Sequence, residues 1–321
     1  MNTGGRSTGR RALRDLGEPG LIARIARAAE RIPSGRGVVL GIGDDAALLR
    51  PGAGEDVVVS ADTYVEDVHF RWRSESPRSV GRRVLVANLS DLAAMGARPL
   101  AFTLALAAPP ELSVRRIDGV VAGLLHEAGA HRCPLVGGNV TRARETHLAI
   151  TAIGAVQRGC ALTRRGARAG DRLFVTGTLG GAALERARAE RAEGRVRRVA
   201  TPRLRAGRAL ARIPQVSACI DVSDGFEADL YRLLGESRHV VLDPRCLPRP
   251  SRFASRCADL GLDPEALVRC GGEDYELLFT LRPGGPEASA LTRRLGVRVS
   301  ELGRIRRGAP RAEAAGGWRH F

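Results

Sequence analysis

The feature that most constrains the fold is a helix-like segment over residues 81–95, in which Asp91 is the only acidic residue. A carboxylate on the buried side of an apolar helix costs several kcal/mol unless a positive charge meets it. No Arg lies within one helical turn of Asp91 to supply that charge. A metal ion is the simplest counter-charge. Further carboxylates for it lie upstream, in Asp62 at the end of a predicted strand and in Asp44 and Asp45 of a Gly-rich turn.

Acidic residues recur beside Gly or Ser at the ends of predicted strands. An ordinary capped turn explains any one of them, since Asp and Gly are common turn residues. Together they predict a site for several metal ions, and hard oxygen ligands without clustered His or Cys favour Mg²⁺ over Zn²⁺. The five turns contain Asp44 with Asp45, Asp62, Asp91, Asp221 with Asp224, and Glu273 with Asp274.

A further Gly-rich segment follows a predicted strand at residues 137–142 and reads Gly-Gly-Asn-Val-Thr-Arg. A turn of this composition allows a phosphate group to approach the backbone closely. A plain hairpin turn is the alternative interpretation of the same residues.

The basic residues restrict the possible chemistry. The net charge of +16 rests on Arg alone, because the sequence contains no Lys. A Walker A loop, a protein-kinase strand Lys and a Schiff-base Lys are therefore excluded. The Arg residues are spread along the chain with few aromatic residues beside them, which disfavours nucleic acid as the main partner. Any phosphate must be held by metal ions, Arg or backbone N–H groups.

Length and apolar content predict two globular domains, with 321 residues and 44% hydrophobic residues. No apolar run is long enough to cross a bilayer, so we expect no membrane association. Residues 1–16 are rich in Arg and Gly without the apolar centre of a secretory signal, and we expect a flexible basic tail there. The six Cys include no C-x-x-C pair, which fits reduced thiols in the cytoplasm.

Strands and helices alternate along the chain, which predicts an α/β or α+β fold. A boundary near residues 157–159 divides it into a domain over residues 17–157 and a domain over residues 158–321. The predicted strands cover residues 38–40, 57–62, 100–108, 134–136, 146–156, 172–176, 217–221 and 277–281, and the predicted helices cover residues 20–32, 81–95, 114–130 and 226–234.

In combination, these motifs resemble the thiamine-monophosphate kinase family, which belongs to the superfamily of aminoimidazole ribonucleotide synthase and selenophosphate synthetase. The most specific runs are Asn-Leu-Ser-Asp-Leu-Ala-Ala-Met-Gly-Ala at residues 88–97 and Gly-Gly-Glu-Asp-Tyr-Glu-Leu at residues 271–277. The pair His69-Phe70 and the terminal Gly-Trp-Arg-His-Phe favour the thiamine branch. The segments that match are residues 41–46, 60–70, 88–99, 137–142, 162–171, 220–225 and 272–278, and the resemblance runs from residue 17 to residue 321.

The resemblance implies ATP-dependent phosphorylation of thiamine phosphate to thiamine diphosphate. It also implies a two-domain synthase-like fold in a homodimer. The N-terminal sheets would pair across the dimer, and a C-terminal α+β domain would close over the nucleotide. The need for K⁺ stays open.

The same resemblance assigns roles to individual residues. The implied Mg²⁺ ligands are Asp45, Ser60, Ala61, Asp62, Asp91, Asn139, Asp221 and Asp224. The implied ATP contacts are Gly138, Asn139, Arg164 and Ser223, and the implied thiamine phosphate contacts are His69, Glu273 and Trp318.

Three positions depart from the family pattern. Asn139 stands where the family usually has a metal-binding Asp, Ala61 replaces a usual Thr, and Pro19 interrupts an opening Gly-Glu-Phe-like motif. A backbone carbonyl of Ala61 could still serve as a ligand. Two alternatives stay open: another ATP-using enzyme of the superfamily with a different acceptor, and a non-catalytic nucleotide or nucleic-acid binder.

The implied reaction needs no catalytic base. A phosphate monoester has a second pKa near 6 and is therefore mostly dianionic at pH 7. Its approach to ATP meets a repulsion of roughly 4 kcal/mol per charge pair at 4 Å and an effective dielectric constant near 20. Several Mg²⁺ ions would cancel this repulsion and align an in-line transfer.

Overall fold

A computed structural model of the protein describes residues 12–33, 37–40, 42, 47–191, 196, 198–242 and 247–308. The helices are α1 (Gly17–Ala29), α2 (Pro77–Ala94), α3 (Val114–His131), α4 (Gly181–Arg191), α5 (Leu204–Leu210), α6 (Phe226–Leu234), α7 (Phe253–Ala258), α8 (Pro264–Cys270) and α9 (Ala288–Leu295), preceded by a 3₁₀ turn at Leu13–Asp15. The strands are β1 (Val38–Leu40), β2 (Leu48–Leu49), β3 (Glu55–Val65), β4 (Arg98–Ala108), β5 (Leu135–Arg142), β6 (His147–Gln157), β7 (Arg172–Thr176), β8 (Val216–Asp221), β9 (Arg238–Val240), β10 (Leu277–Leu281) and β11 (Val299–Arg307).

The first large sheet has the strand order β3-β6-β4-β5. Strand β6 pairs antiparallel with β3 along its whole length, and with β4 on its other side. Strand β5 continues the sheet parallel to β4. Helix α2 packs on this sheet and α3 packs on α2, so that α2 is buried along most of its length.

The second large sheet has the strand order β8-β10-β7-β11-β9, and each neighbouring pair is antiparallel. Strands β7 and β10 are buried at every residue, which explains why apolar residues dominate their sequences without alternation. The two sheets, with helices packed against them, confirm the predicted mixed α/β class.

The core is continuous between the two sheets. Leu92 and Ala93 of α2 belong to the same buried cluster as Leu204 and Leu210 of α5. Gly207 of α5 lies so close to the Ala93 backbone that a side chain would overlap it. Helix α2 therefore links the two parts of the molecule.

Several elements have the bounds that the sequence predicts, namely strands β1, β7 and β10 and helix α6. Helix α2 begins one turn earlier than predicted. Ser76 caps it by accepting a hydrogen bond from the Ser79 N–H at 3.1 Å, and Pro77 occupies the first turn, where its missing N–H costs nothing.

The turn predicted over residues 137–142 is wrong, because these residues lie within β5. Gly138 has φ of 155°, and a side chain there would overlap the backbone of Leu104 in the neighbouring strand. The glycine thus permits close strand pairing and does not make a turn.

The flexible tail predicted over residues 1–16 extends too far. Ala12 forms an isolated bridge with Ser113, and the N–H of the buried Leu13 donates to the Leu112 carbonyl at 2.9 Å. Residues 12–16 therefore belong to the folded part, whereas residues 1–11 lie outside the described residues. No helix in the described part of the chain is both long and apolar enough to cross a membrane.

Candidate active site

A cavity of about 970 Å³ lies between the two parts of the molecule. Strand β3, the loop that follows it and helix α2 line one side, and α4, the loop after β8 and the loop before β10 line the other. Most of the predicted site residues that the structure describes line this cavity: Ala61, Asp62, His69, Asp91, Asp221, Ser223, Asp224 and Glu273.

Carboxylates line the part of the cavity where α2 meets β8. The Ser90 hydroxyl donates to Asp221 at 2.7 Å, and the Ser60 hydroxyl donates to Asp91. Burial raises the pKa of Asp221 to about 8, and the charge of Asp91 adds to this increase. Burial likewise raises the pKa of Asp91, and the neighbouring Asp62 adds to it, although the Ser60 hydrogen bond opposes the change. This part of the cavity therefore favours a bound positive charge.

The loop after β8 is held by a residue that the sequence did not single out. Asp229 of α6 is fully buried and accepts hydrogen bonds from the backbone N–H groups of Ser223 and Asp224, both at 3.0 Å. The carboxylate of Asp224 lies 2.5 Å from the guanidinium of Arg232. Asp224 therefore faces the cavity with part of its charge already compensated.

Glu273 lies at a different part of the cavity wall, between two Arg side chains. Both of its oxygens accept hydrogen bonds from Arg83 at 2.7 Å, and Arg186 donates to it at 2.9 Å. Burial alone would raise the pKa of Glu273, but Arg83 and Arg186 outweigh it and lower the pKa to about 2. Glu273 is therefore ionised at physiological pH.

The imidazole of His69 is oriented by the backbone. Its Nδ1 accepts a hydrogen bond from the Val65 N–H at 3.1 Å, so in the neutral ring the proton lies on Nε2. The ring stacks on Tyr64, with 5.3 Å between centroids. These contacts fix the ring at the cavity wall.

Each polar residue of the Gly-Gly-Glu-Asp-Tyr-Glu-Leu motif holds a different segment of the fold. Asp274 accepts hydrogen bonds from the N–H groups of Gly180 and Ala182, at 2.6 and 3.1 Å, and so fixes the start of α4. The Tyr275 and Tyr64 hydroxyls are 3.0 Å apart. In a further set of contacts, Glu276 accepts from Thr176 at 2.7 Å and from Arg203 at 2.5 and 2.6 Å.

The backbone of this motif is strained. Glu273 and Tyr275 have φ of 69° and 51°, in the left-handed region that non-glycine residues rarely adopt. Such strain persists only where the surroundings determine the conformation. The side-chain contacts of the motif hold the backbone in this conformation.

Several predicted site residues do not line the cavity in the single chain. Gly138, Asn139 and Arg164 are exposed, and Asn139 lies on the outer strand of the first sheet. Arg164 is nevertheless near enough for its charge to oppose the increase in the pKa of Asp91. Two predicted site residues, Asp45 and Trp318, lie outside the described part of the chain. The same holds for the predicted turn at residues 41–46, of which only residue 42 is described.

Known proteins share both the sequence and this architecture. The family model of AIR synthase related protein, N-terminal domain, matches residues 43–156. The thiamine-monophosphate kinase of Mycobacterium tuberculosis H37Rv is 38% identical over 276 residues, which cover 83% of this chain and 81% of that protein. The chain belongs to the thiamine-monophosphate kinase family.

Solved structures of this family have the same fold. The thiamine-monophosphate kinase of Stenotrophomonas maltophilia K279a superimposes with a TM-score of 0.77 and 35% identity, over 92% of this chain and 96% of that chain. AaThiL, solved in complex with AMPPCP and TMP, superimposes with a TM-score of 0.71 and 25% identity, over 98% of this chain and 100% of that chain.

Sequence reasoning missed part of the cavity wall of this family member. Arg83, Glu75 and Arg186 line the cavity but were not singled out. One signal was present in the sequence: Arg83 lies inside the same apolar helix as Asp91, two turns before it. A basic residue in such a position has to meet an acid, just as Asp91 has to meet a positive charge.

Proposed function

We propose that the protein transfers the γ-phosphoryl group of ATP to thiamine phosphate and so forms thiamine diphosphate. The observation that carries this proposal is the cavity between the two sheets, which combines a carboxylate wall with a second wall that contains His69, Arg83 and Glu273. Family membership supports the same reaction, because AaThiL was solved with an ATP analogue and TMP.

The carboxylate wall fits Mg²⁺. Asp62, Asp91 and Asp221 are the donors we propose, because all three line the cavity, and burial raises the pKa of Asp91 and Asp221, which favours a hard cation beside them. Among the described residues, no three His, Cys, Asp or Glu side chains lie close enough together to hold an ion by themselves. Water and phosphate oxygens would complete each coordination shell, as is usual for Mg²⁺.

Further ligands extend this set. Ser60, which donates to Asp91, and the carbonyl of Ala61 are proposed from β3. Asp45, Asn139 and Asp224 are proposed as more peripheral ligands, and Asp224 would have to share its charge with Arg232. Bound Mg²⁺ would neutralise the phosphates of both substrates, and a K⁺ requirement is left to measurement.

The chain's own residues bind and orient the substrates. Ser223, Arg164, Gly138 and Asn139 are proposed to contact ATP. Ser223 lies at the cavity in a loop that Asp229 fixes. No side chain has to remove a proton, because the acceptor phosphate is already mostly dianionic at neutral pH.

The thiamine part of the acceptor is proposed to lie against His69 and Glu273, with Trp318 covering it. Glu273 is anionic and partly exposed to the cavity, with 20% of its side chain accessible. Arg83 and Arg186 share its charge, so its attraction for a thiazolium ring is weaker than that of an unpaired carboxylate, but its oxygens can still accept a hydrogen bond from the acceptor. The His69 ring, which the Val65 N–H orients through Nδ1, presents a flat face at the same wall.

A homodimer is proposed as the active form. Strand β3 is an edge strand of the first sheet, and its side chains Val57 and Val59 are 53% and 62% exposed. An unpaired edge with exposed apolar side chains favours pairing with another strand. A second copy of the same sheet, as in the resemblance described above, would satisfy it.

We place the protein in the cytoplasm. The cysteines in the described part of the chain are all free, which fits a reducing compartment.

The two domains are proposed to divide near residues 157–159, between the last strand of the first sheet and the first strand of the second.

The proposed reaction is tested by following thiamine diphosphate formation from ATP, Mg²⁺ and thiamine phosphate. Unphosphorylated thiamine and other phosphate monoesters serve as control acceptors. We expect turnover with thiamine phosphate well above that with every control. A higher rate with another phosphate monoester would assign the protein to a different acceptor, and salt-sensitive duplex binding without ATP turnover would support a non-catalytic binder.

A further inference from the structure

Arg83 occupies an unusual position in the cavity wall. It is only 4% exposed, yet its guanidinium contacts two other segments that line the cavity. Its Nε and Nη2 donate to Glu273 at 3.1 and 2.7 Å, and Nη2 also donates to the His69 carbonyl at 3.1 Å. Its Nη1 donates to the buried Glu75. One side chain thereby joins the loop after β3, helix α2 and the loop before β10.

Stability alone is a weak explanation for this arrangement. Buried ion pairs often contribute less to folding than well-packed apolar side chains of similar volume. The guanidinium has two carboxylate partners, so it is electrostatically satisfied, but its desolvation remains costly. Its contacts with Glu273 and with the His69 backbone indicate a second role in placing these residues.

The aromatic residues around Arg83 reinforce the same geometry. Its guanidinium lies 5.4 Å from the ring centroid of Tyr64. The Tyr64 hydroxyl lies 3.3 Å from Glu273 and donates to it, and its ring stacks on His69. Both residues proposed to contact the acceptor are therefore fixed by the pair Arg83 and Tyr64.

We infer that Arg83 is a positioning residue for the acceptor. It holds Glu273 and His69 at fixed places in the cavity wall and so sets the geometry of acceptor binding. The inference rests on the proposed function, and it names the side chain that determines the geometry of acceptor binding. Only the planar guanidinium can bond both Glu273 oxygens, Glu75 and the His69 carbonyl at once. The ammonium of Lys has one charged nitrogen with three donors and cannot span them.

The test is Arg83→Lys, with steady-state kinetics for both substrates. We expect the KM for thiamine phosphate to rise about tenfold or more while the KM for ATP changes less than about twofold, because only acceptor binding depends on Glu273 and His69. The matched control is Arg172→Lys. Arg172 is also buried and bonds two carboxylates, those of Glu287 and Glu301, both at 2.6 Å, but it does not line the cavity. This control should lower stability and leave both KM values unchanged.

A double substitution separates a direct effect from one that acts through Glu273. In a Glu273→Gln background, Arg83→Lys should raise the KM for thiamine phosphate much less than it does in the wild type, because both changes remove the same interaction. The inference would be overturned if Arg83→Lys raised the KM for thiamine phosphate by the same factor in both backgrounds. It would also be overturned if Arg83→Lys raised the KM values of both substrates equally. If Arg83→Lys does not fold, Glu75→Gln replaces it, with an expected increase of about 2- to 5-fold for thiamine phosphate alone.

The wild-type assay tests the proposed function separately from the role of Arg83. A wild-type protein without thiamine phosphate kinase activity would overturn the proposed function, and this inference with it. An active wild type whose Arg83→Lys variant keeps the wild-type KM for thiamine phosphate would overturn this inference alone.

Discussion

Replacing Gly81 by Ala should force helix α2 away from helix α3. A Cβ atom at Gly81 would lie 2.8 Å from the Val120 carbonyl carbon and 3.0 Å from the Leu124 nitrogen, and nearer still to the Val120 oxygen. Favourable contacts between heavy atoms begin near 3.5 Å, so clearing the Val120 oxygen alone would separate the helices by more than roughly 1 Å. Because the obstructing atoms are backbone, they cannot rotate away as a side chain would.

The size of the effect follows from two opposing contributions. Overpacking of a core costs about 1–3 kcal/mol, and contact with backbone favours the upper end of that range. The higher helix propensity of Ala than of Gly stabilises the variant by about 1 kcal/mol, which offsets part of this cost. The net loss of roughly 2 kcal/mol corresponds to a decrease in Tm of about 3 °C for a protein of this size, because the entropy of unfolding grows with chain length.

Thermal unfolding, followed by circular dichroism without ligands, measures the change. The matched control is Gly129→Ala in α3, where the nearest atom is the flexible end of Ile32 at 3.3 Å. That variant should keep the wild-type Tm or exceed it. A Gly81→Ala variant as stable as Gly129→Ala would show that α2 and α3 are not in backbone contact. The placement of Arg83 and Asp91 on α2 would then be wrong as well.

Three further predictions test the site by substitution. Asp62→Asn or Asp91→Asn should lower kcat by orders of magnitude, because each removes charge from the proposed Mg²⁺ site, without lowering Tm in the absence of ligands; wild-type rates at limiting Mg²⁺ would contradict this. Trp318→Ala should raise the KM for thiamine phosphate about 2- to 30-fold through loss of a cation–π contact of about 0.5–2 kcal/mol, and equal weakening of ATP would place Trp318 elsewhere. Asn139→Asp should lower the Mg²⁺ concentration for half-maximal rate, whereas superimposable Mg²⁺ titrations would show that residue 139 is not a ligand.

Local patterns in the sequence account for much of the fold. Strands β7 and β10 are short, mainly apolar runs between turn residues, and α6 is a short amphipathic segment after Gly225, so all three were predictable from neighbours in the chain. The residues at 137–142 have turn chemistry, but pairing with β4 outweighs that local preference. Strands β9 and β11, with polar and charged residues among the apolar ones, gave no comparable signal.

In the candidate site, too, some residues could be identified from local sequence and others depend on tertiary contacts. Asp62, Asp91 and Asp221 each follow or lie in an apolar segment, so the sequence could identify them as candidates, and the fold brings them to one cavity. Glu273 could be proposed as an acceptor contact only from the resemblance. Its partner Arg83 is 190 residues away in the sequence, and no local pattern reports a contact at that separation. The strained backbone of the Glu273 motif is likewise a product of tertiary contacts.

The most direct measurement of the central claim is a crystal structure with Mg²⁺, a non-hydrolysable ATP analogue and thiamine phosphate bound together. We expect the acceptor phosphate to face the nucleotide beside Asp62, Asp91 and Asp221, with Mg²⁺ about 2.1 Å from carboxylate oxygens. The thiamine rings should contact His69 and Glu273, while Arg83 keeps both Glu273 oxygens. Thiamine phosphate bound outside this cavity, or Mg²⁺ bound without any of these three carboxylates, would contradict the account.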